Sequence, residues 1–244
     1  MTSRFAVLPL LLLSMFAASP AMAQVARPPR VPTIEELYLT TPWVLSVREE
    51  ALSYDADVKL QALSDIEKRM ADGKLKGDDE QSVQAILIGL ADEGTRYAVS
   101  EDRRLVNYYP TVRRKAAELL GRLGSETSDA VVRDRAIFKL LDILSFDDEV
   151  MVKAEAVYGL GVIGNNDEGV VAEVIADSIR RQSSFAPDNN YAYATALAIE
   201  KLADKNQGMR DFRAYAALVT IMQGNYTQTV KGKAYEVMQK VRGY

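Results

Sequence analysis

From Pro42 to the C-terminus, apolar residues recur three and four positions apart, and the alternation of a half-buried strand is absent. This pattern predicts a succession of amphipathic helices. The pattern is itself repeated. The run Val112-Arg113-x-x-Ala116-Ala117-x-x-Leu120-Gly121-x-Leu123-Gly124 returns as Val152-Lys153-x-x-Ala156-Val157-x-x-Leu160-Gly161-x-Ile163-Gly164, a shift of 152 − 112 = 40 residues. A weaker copy runs through Tyr191, Thr195, Ala196, Ile199, Leu202 and Ala203. The register recovers in Val230-Lys231-x-x-Ala234-Tyr235-x-x-Met238-x-x-Val241 and has an upstream copy in Val58-Lys59-x-x-Ala62-Leu63-x-x-Ile66. Partner helices are expected near 42–53, 80–92, 128–145, 168–183 and 209–222.

A period of about 40 residues built from two helices marks a stacked helical array. The V-R-x-x-A-A-x-x-L-G-x-L-G run resembles the second helix of HEAT repeats, in particular the short HEAT-like repeats first associated with phycobilisome lyases. The resemblance spans residues 42–242 and is strongest at 110–124 and 148–164. It implies an all-α fold, an α-solenoid of about five HEAT-like helix pairs over residues 34–244, with first helices on the convex side and second helices lining the concave side. It also implies that the basic residues Lys59, Arg113, Lys153 and Lys231 line up as a ladder, broken at Ala192. The motif describes architecture, so it speaks to fold rather than to activity. Small residues at the Ala116-type positions are expected to let the two helices of a pair approach closely. Gly124 and Gly164 are expected at left-handed helix C-caps.

One irregularity interrupts the period. Val58 and Val112 are 112 − 58 = 54 residues apart, which places about 14 extra residues in Gly94–Tyr109 (GTRYAVSEDRRLVNYY). A structureless loop of that length is uncommon in a compact domain and is usually functional or disordered.

The N-terminus predicts export. Arg4, the apolar stretch Phe5–Ala18 and Ser19-Pro20-Ala21-Met22-Ala23 have the form of a cleaved signal peptide, residues 1–23, with a mature start near Gln24. The apolar run is too short to span a bilayer, and no later segment has spanning length. No Cys follows for lipid attachment. The expected compartment is the periplasm or the exterior. Residues 24–33 read as an extended Pro/Arg tether, and Thr33-Ile34-Glu35-Glu36 as a capping box opening a short helix at 34–39.

Charge and composition narrow the function. The net charge is −4, and loss of Arg4 makes it −4 − 1 = −5, which argues against nucleic acid. There is no Cys and no His, which removes the thiol nucleophile, disulfides, the usual zinc sites and the commonest general base. Glu118 and Glu236 share a register but belong to non-adjacent repeats, so they do not form a catalytic pair. The acidic clusters Asp78-Asp79-Glu80, Asp147-Asp148-Glu149 and Asn165-Asn166-Asp167-Glu168 lack calcium-loop spacing and read as helix caps. No catalytic residue, cofactor or metal is expected.

Binding residues are then sought among aromatics and cations. Tyr54, Tyr108 and Tyr226 each precede the repeat Val by four residues, which puts them on one edge of the stack, as contact residues or as staples folded onto their own helices. Tyr109, Phe185, Tyr191 and Tyr193 join them. The candidate protein-binding residues are Arg103, Arg104, Tyr108, Tyr109, Tyr54 and Tyr191. The ladder Lys59, Arg113, Lys153 and Lys231 either receives acidic segments of a partner or pairs internally with acids such as Asp55, Asp57, Asp147, Asp148 and Asp188. The expected function is a non-catalytic protein–protein interaction scaffold or adaptor of the bacterial cell envelope, with other envelope proteins as partners. The alternative is a binding module for a peptidoglycan or glycan ligand, and after that a lyase-like enzyme.

Overall fold

The structure, a computed structural model, describes residues 42–96, 100–101, 104–105, 107–182, 185–208 and 211–242. The expected signal peptide, tether and helix at 34–39 lie outside the described residues. Within them the protein is all-helical, with one short pair of strands. The helices are α1 (Pro42–Ala51), α2 (Ala56–Ala71), α3 (Asp78–Asp92), α4 (Pro110–Glu126), α5 (Ala130–Phe146), α6 (Val150–Ile163), α7 (Val170–Arg180), α8 (Asn189–Lys205), α9 (Phe212–Gln223) and α10 (Gln228–Arg242). Among the described residues, no helix is long and apolar enough to cross a membrane.

Local chemistry sets many of the boundaries. Pro42 and Pro110 open α1 and α4, where the missing N–H costs nothing. Asp55, Asp129, Asp188 and Asp211 cap α2, α5, α8 and α9 by accepting the backbone N–H of Asp57, Val131, Tyr191 and Arg213. Of the acidic clusters, Asp78, Asp79 and Glu80 form the first turn of α3 without a side-chain cap. Glu80 instead accepts the Thr127 hydroxyl at 2.6 Å. Gly164 ends α6 at φ +77° in the expected left-handed conformation. Gly124 does not end its helix. The turn continues to Glu126, and a Cβ on Gly124 would lie 2.7 Å from Ile163 Cδ1, so the glycine makes room for that side chain.

The helices form two layers. Odd-numbered helices pack in succession, even-numbered helices pack in succession, and each odd helix packs on the even helix that follows it. The core lies between the layers, where Val112, Ala116, Leu120, Val152, Ala156, Leu160, Ile199 and Val230 are buried. Ala116 and Ala156 therefore face the core, but the closest backbone approach lies between neighbouring even helices. A Cβ on Gly121 would sit 2.5 Å from the Gly159 Cα, and one on Gly161 would sit 2.5 Å from the Ala198 Cα. Backbone touches backbone from α4 to α6 and from α6 to α8.

The inserted segment is not a structureless loop. Its described part is a hairpin, β1 (Ser100–Glu101) and β2 (Arg104–Leu105), antiparallel with Ser100 opposite Leu105 and Glu101 opposite Arg104. Its base is pinched shut at Gly94, φ +74°, where a Cβ would lie 2.6 Å from the Asn107 carbonyl oxygen. Only glycine fits there.

Candidate functional site

The candidate site is the edge where each odd helix turns into the next even one, and its foundation is a buried line of ion pairs. Lys59, in the first turn of α2, donates to the Ala51 carbonyl at 2.8 Å and pairs with Glu93 Oε1 at 2.9 Å. Glu93 ends α3, and its carbonyl accepts Arg113 Nη1 at 3.3 Å. Arg113, in the first turn of α4, is 0% exposed. It forks onto Asp147 through Nε at 2.9 Å and Nη2 at 3.1 Å, with Asp148 at 3.5 Å. Burial works against the Arg113 charge, but the hydrogen bonds and charge of Asp147 outweigh it and hold the guanidinium above its ordinary pKa. Asp147 ends α5 and also accepts the Glu149 N–H at 2.8 Å. At these two steps a cation on an even helix meets the acid that ends the next odd helix.

That geometry corrects the ladder as a partner surface. Lys59 and Arg113 are sealed inside, each with its own acid, and cannot receive a segment from another protein. Glu93 was not among the acids the sequence suggested. Lys153 and Lys231 are half-buried and make no ion pair among the described residues.

The aromatic residues divide in the same way. Tyr54 is 78% exposed, and its carbonyl accepts the Tyr109 hydroxyl at 2.6 Å, which ties the turn after α1 to the base of the hairpin. Tyr108 lies over the Arg113 guanidinium with 4.6 Å to its ring centroid. Its hydroxyl donates to Glu149 Oε1 at 2.8 Å, with Asp148 Oδ2 at 3.1 Å, tying the hairpin base to the turn after α5. Burial, and then the carboxylate of Glu149, push the Tyr108 phenol up to about 12. Tyr191, expected on this edge, is 1% exposed and donates its hydroxyl to Ser178. It occupies the register slot of Val112 and Val152, which faces the core, and burial pushes its phenol up to about 12. Tyr226 is also buried, with its hydroxyl on Gln182 Oε1 at 3.3 Å. Arg103 lies outside the described residues, and Arg104 stands in β2 opposite Glu101.

Phe185 and Tyr193 are exposed as expected, Phe185 at 89%, while Leu52, Phe146 and Met151, exposed on or beside the same turns, escaped the sequence reading. Phe146 and Leu52 immediately follow or close a first helix, and that shared position was the signal available. Next to Phe146 a cleft of about 270 Å³ is lined by Asp92, Thr95, Arg96, Lys139 and Asp142. Lys139 pairs with Asp92 and, at 3.1 Å, with Asp142, while Arg96 pairs with Asp142 and lies over the Phe146 ring at 5.6 Å. The charges that line the cleft compensate one another.

Glu155 of α6 was also missed. It is half-buried, and burial, with repulsion from Glu118 of α4, holds its carboxyl above the usual range despite the nearby cations Arg114 and Lys115. The acid that Glu118 feels is thus Glu155 on the adjacent even helix, three positions away from its own register.

No protein-family model, curated protein or solved structure matches this chain.

Proposed function

We propose that this chain is an α-solenoid of five HEAT-like helix pairs that acts outside the inner membrane as a non-catalytic scaffold, holding other envelope proteins along its turn edge. The observation that carries this reading is an edge assembled from successive turns and braced in two stretches. Tyr109 bonds the Tyr54 turn, Tyr108 bonds the Asp148-Glu149 turn, and Asn225 and Thr227 bond Phe185 and Asn189 at 3.4 and 2.8 Å. Exposed Tyr54, Phe146 and Phe185 project from this braced frame. Large apolar side chains on a rigid backbone lose little entropy when a partner covers them. The apolar run at residues 5–18 and the small-x-small site before Gln24 support export.

Site-specific photo-crosslinking tests the reading in cells. A photoreactive amino acid at position 54, 146 or 185 should give discrete protein adducts, and the same residue at Ser128 or Gln207, exposed on the opposite edge, should not. Equal adduct patterns from both edges, or none from the first, would reject this surface.

A further inference from the structure

The line of ion pairs stops between the pair α5/α6 and the pair α7/α8. Asp147 has two functions: it accepts the N–H of Glu149, the N-cap residue of α6, and it neutralises Arg113. In the next turn the acceptor for the N-cap residue of α8 is Gln182, whose Oε1 takes the Asp188 N–H at 3.1 Å and the Tyr226 hydroxyl. A carboxamide holds the turn together but carries no charge. Lys153 occupies the register of Lys59 and Arg113 and makes no ion pair among the described residues. Asp188, the acid of this turn, accepts the Tyr191 N–H at 2.8 Å and makes no ion pair among the described residues. The residue that ends α7 is Arg181, exposed, in the position held by the acids Glu93 and Asp147 two and one steps earlier. So cations stand at both register positions that elsewhere hold a cation and an anion, in a protein whose net charge is −4. Met151 on α6, Phe185 in the turn before α8 and Tyr193 on α8 supply exposed apolar surface.

From this we infer that the missing acid comes from outside: the turn edge between α6 and α8 docks an acidic peptide segment that carries an aromatic residue beside its carboxylates. Lys153 and Arg181 take the negative charge, and Met151, Phe185 and Tyr193 take the ring. The inference rests on the turn edge being a protein-binding surface and names the chemistry of what binds there. Charge complementarity selects the occupant, since a basic or neutral segment would leave both cations uncompensated.

The test is fluorescence anisotropy on the purified protein, with a fluorescein-labelled peptide Gly-Glu-Glu-Phe-Glu-Glu-Phe-Gly and its Lys-for-Glu counterpart. The acidic peptide should bind saturably and weaken as salt rises from 50 to 200 mM, while the basic one should not bind. Gln182→Glu restores the acid in place, so it should weaken the acidic peptide at least tenfold without lowering the melting temperature. Lys153→Met combined with Arg181→Glu should weaken it by a similar factor, and Lys231→Glu should not. An acidic peptide that fails to bind the parent, that binds Q182E as tightly as the parent, or that responds equally to Lys231→Glu would overturn the inference. Should Q182E unfold, the Lys153/Arg181 variant decides by the same criterion. Crosslinks at positions 54 and 146 without peptide binding would remove this inference alone, and peptide binding without crosslinks would remove only the wider reading.

Discussion

Replacing Arg113 with Met should be among the most damaging single changes in this protein. The side chain is fully buried, and the Asp147 side chain it faces is 2% exposed, so solvent does not screen the pair. Removing the guanidinium leaves the Asp147 carboxylate without its two-point partner, the Glu93 carbonyl without a donor, and Tyr108 without the cation beneath its ring. Breaking one half of a buried ion pair costs about 3–5 kcal/mol, because the remaining charge stays desolvated. Replacing both halves with apolar groups of similar volume is close to neutral by the same reasoning, so Arg113→Met combined with Asp147→Leu should recover most of the loss, less about 1 kcal/mol for the Glu149 N–H that Asp147 also serves. Arg113→Lys should fall between, since an ammonium cannot reproduce the fork. Urea unfolding followed by circular dichroism would measure all three. A loss under about 1 kcal/mol in R113M, or a double variant as unstable as the single, would refute the assignment of this pair as the charge-compensated joint between α4 and α5.

Other consequences follow from the same structure. Gly121→Ala should overpack the α4–α6 contact and cost about 1–3 kcal/mol, while Gly89→Ala, in α3 with open space around it, should stabilise by about 0.5–1 kcal/mol; thermal denaturation of the two variants separates a packing glycine from a merely helical one. Glu155 has a raised folded pKa, so its ionisation opposes folding: the penalty is absent below the ordinary value of 4.5 and complete above the folded value. Glu155→Gln should therefore stabilise the protein at pH 7 and not at pH 4, as read by chemical denaturation at both; an equal effect at both pH values would contradict the sign. Tyr191→Phe should cost about 0.5–1.5 kcal/mol by orphaning the Ser178 hydroxyl, whereas Tyr54→Ala, on an exposed side chain, should leave the unfolding midpoint nearly unchanged.

What could be read from the sequence and what could not divides along physical lines. Helix positions were legible because one apolar face must recur at helical spacing, and Val112, Val152 and Val230 mark that face in three copies. The C-cap at Gly164 is local chemistry and needs only a few neighbouring residues, whereas Asp55 and Asp188, read as partners of the ladder, are N-caps. Gly124 looked like Gly164 because both follow the same motif, but Ile163, 39 residues away, decides its role. Tyr191 was placed on the surface by residue type, although its own register slot belongs to the core. The hairpin escaped because strands of two residues carry no alternation to detect. The Lys59–Glu93 and Arg113–Asp147 pairs join residues 34 apart, since 93 − 59 and 147 − 113 are equal. That regularity was present in the sequence, but the packing of each even helix on the end of the next odd one was needed to give it meaning. The substitution of Gln182 for an acid became visible only once Asp147 and Gln182 were seen to accept equivalent backbone N–H groups.

The central claim, that the braced turn edge holds protein partners, is tested most directly by affinity. A partner identified by crosslinking from position 54, 146 or 185 would be titrated against the parent and against a variant carrying Tyr54→Ala, Phe146→Ala, Phe185→Ala and Arg104→Glu, with unfolding midpoints measured alongside. The expected result is a dissociation constant at least tenfold weaker, about 1.4 kcal/mol, in a variant that remains folded. A folded variant that binds this partner as tightly as the parent would contradict the claim.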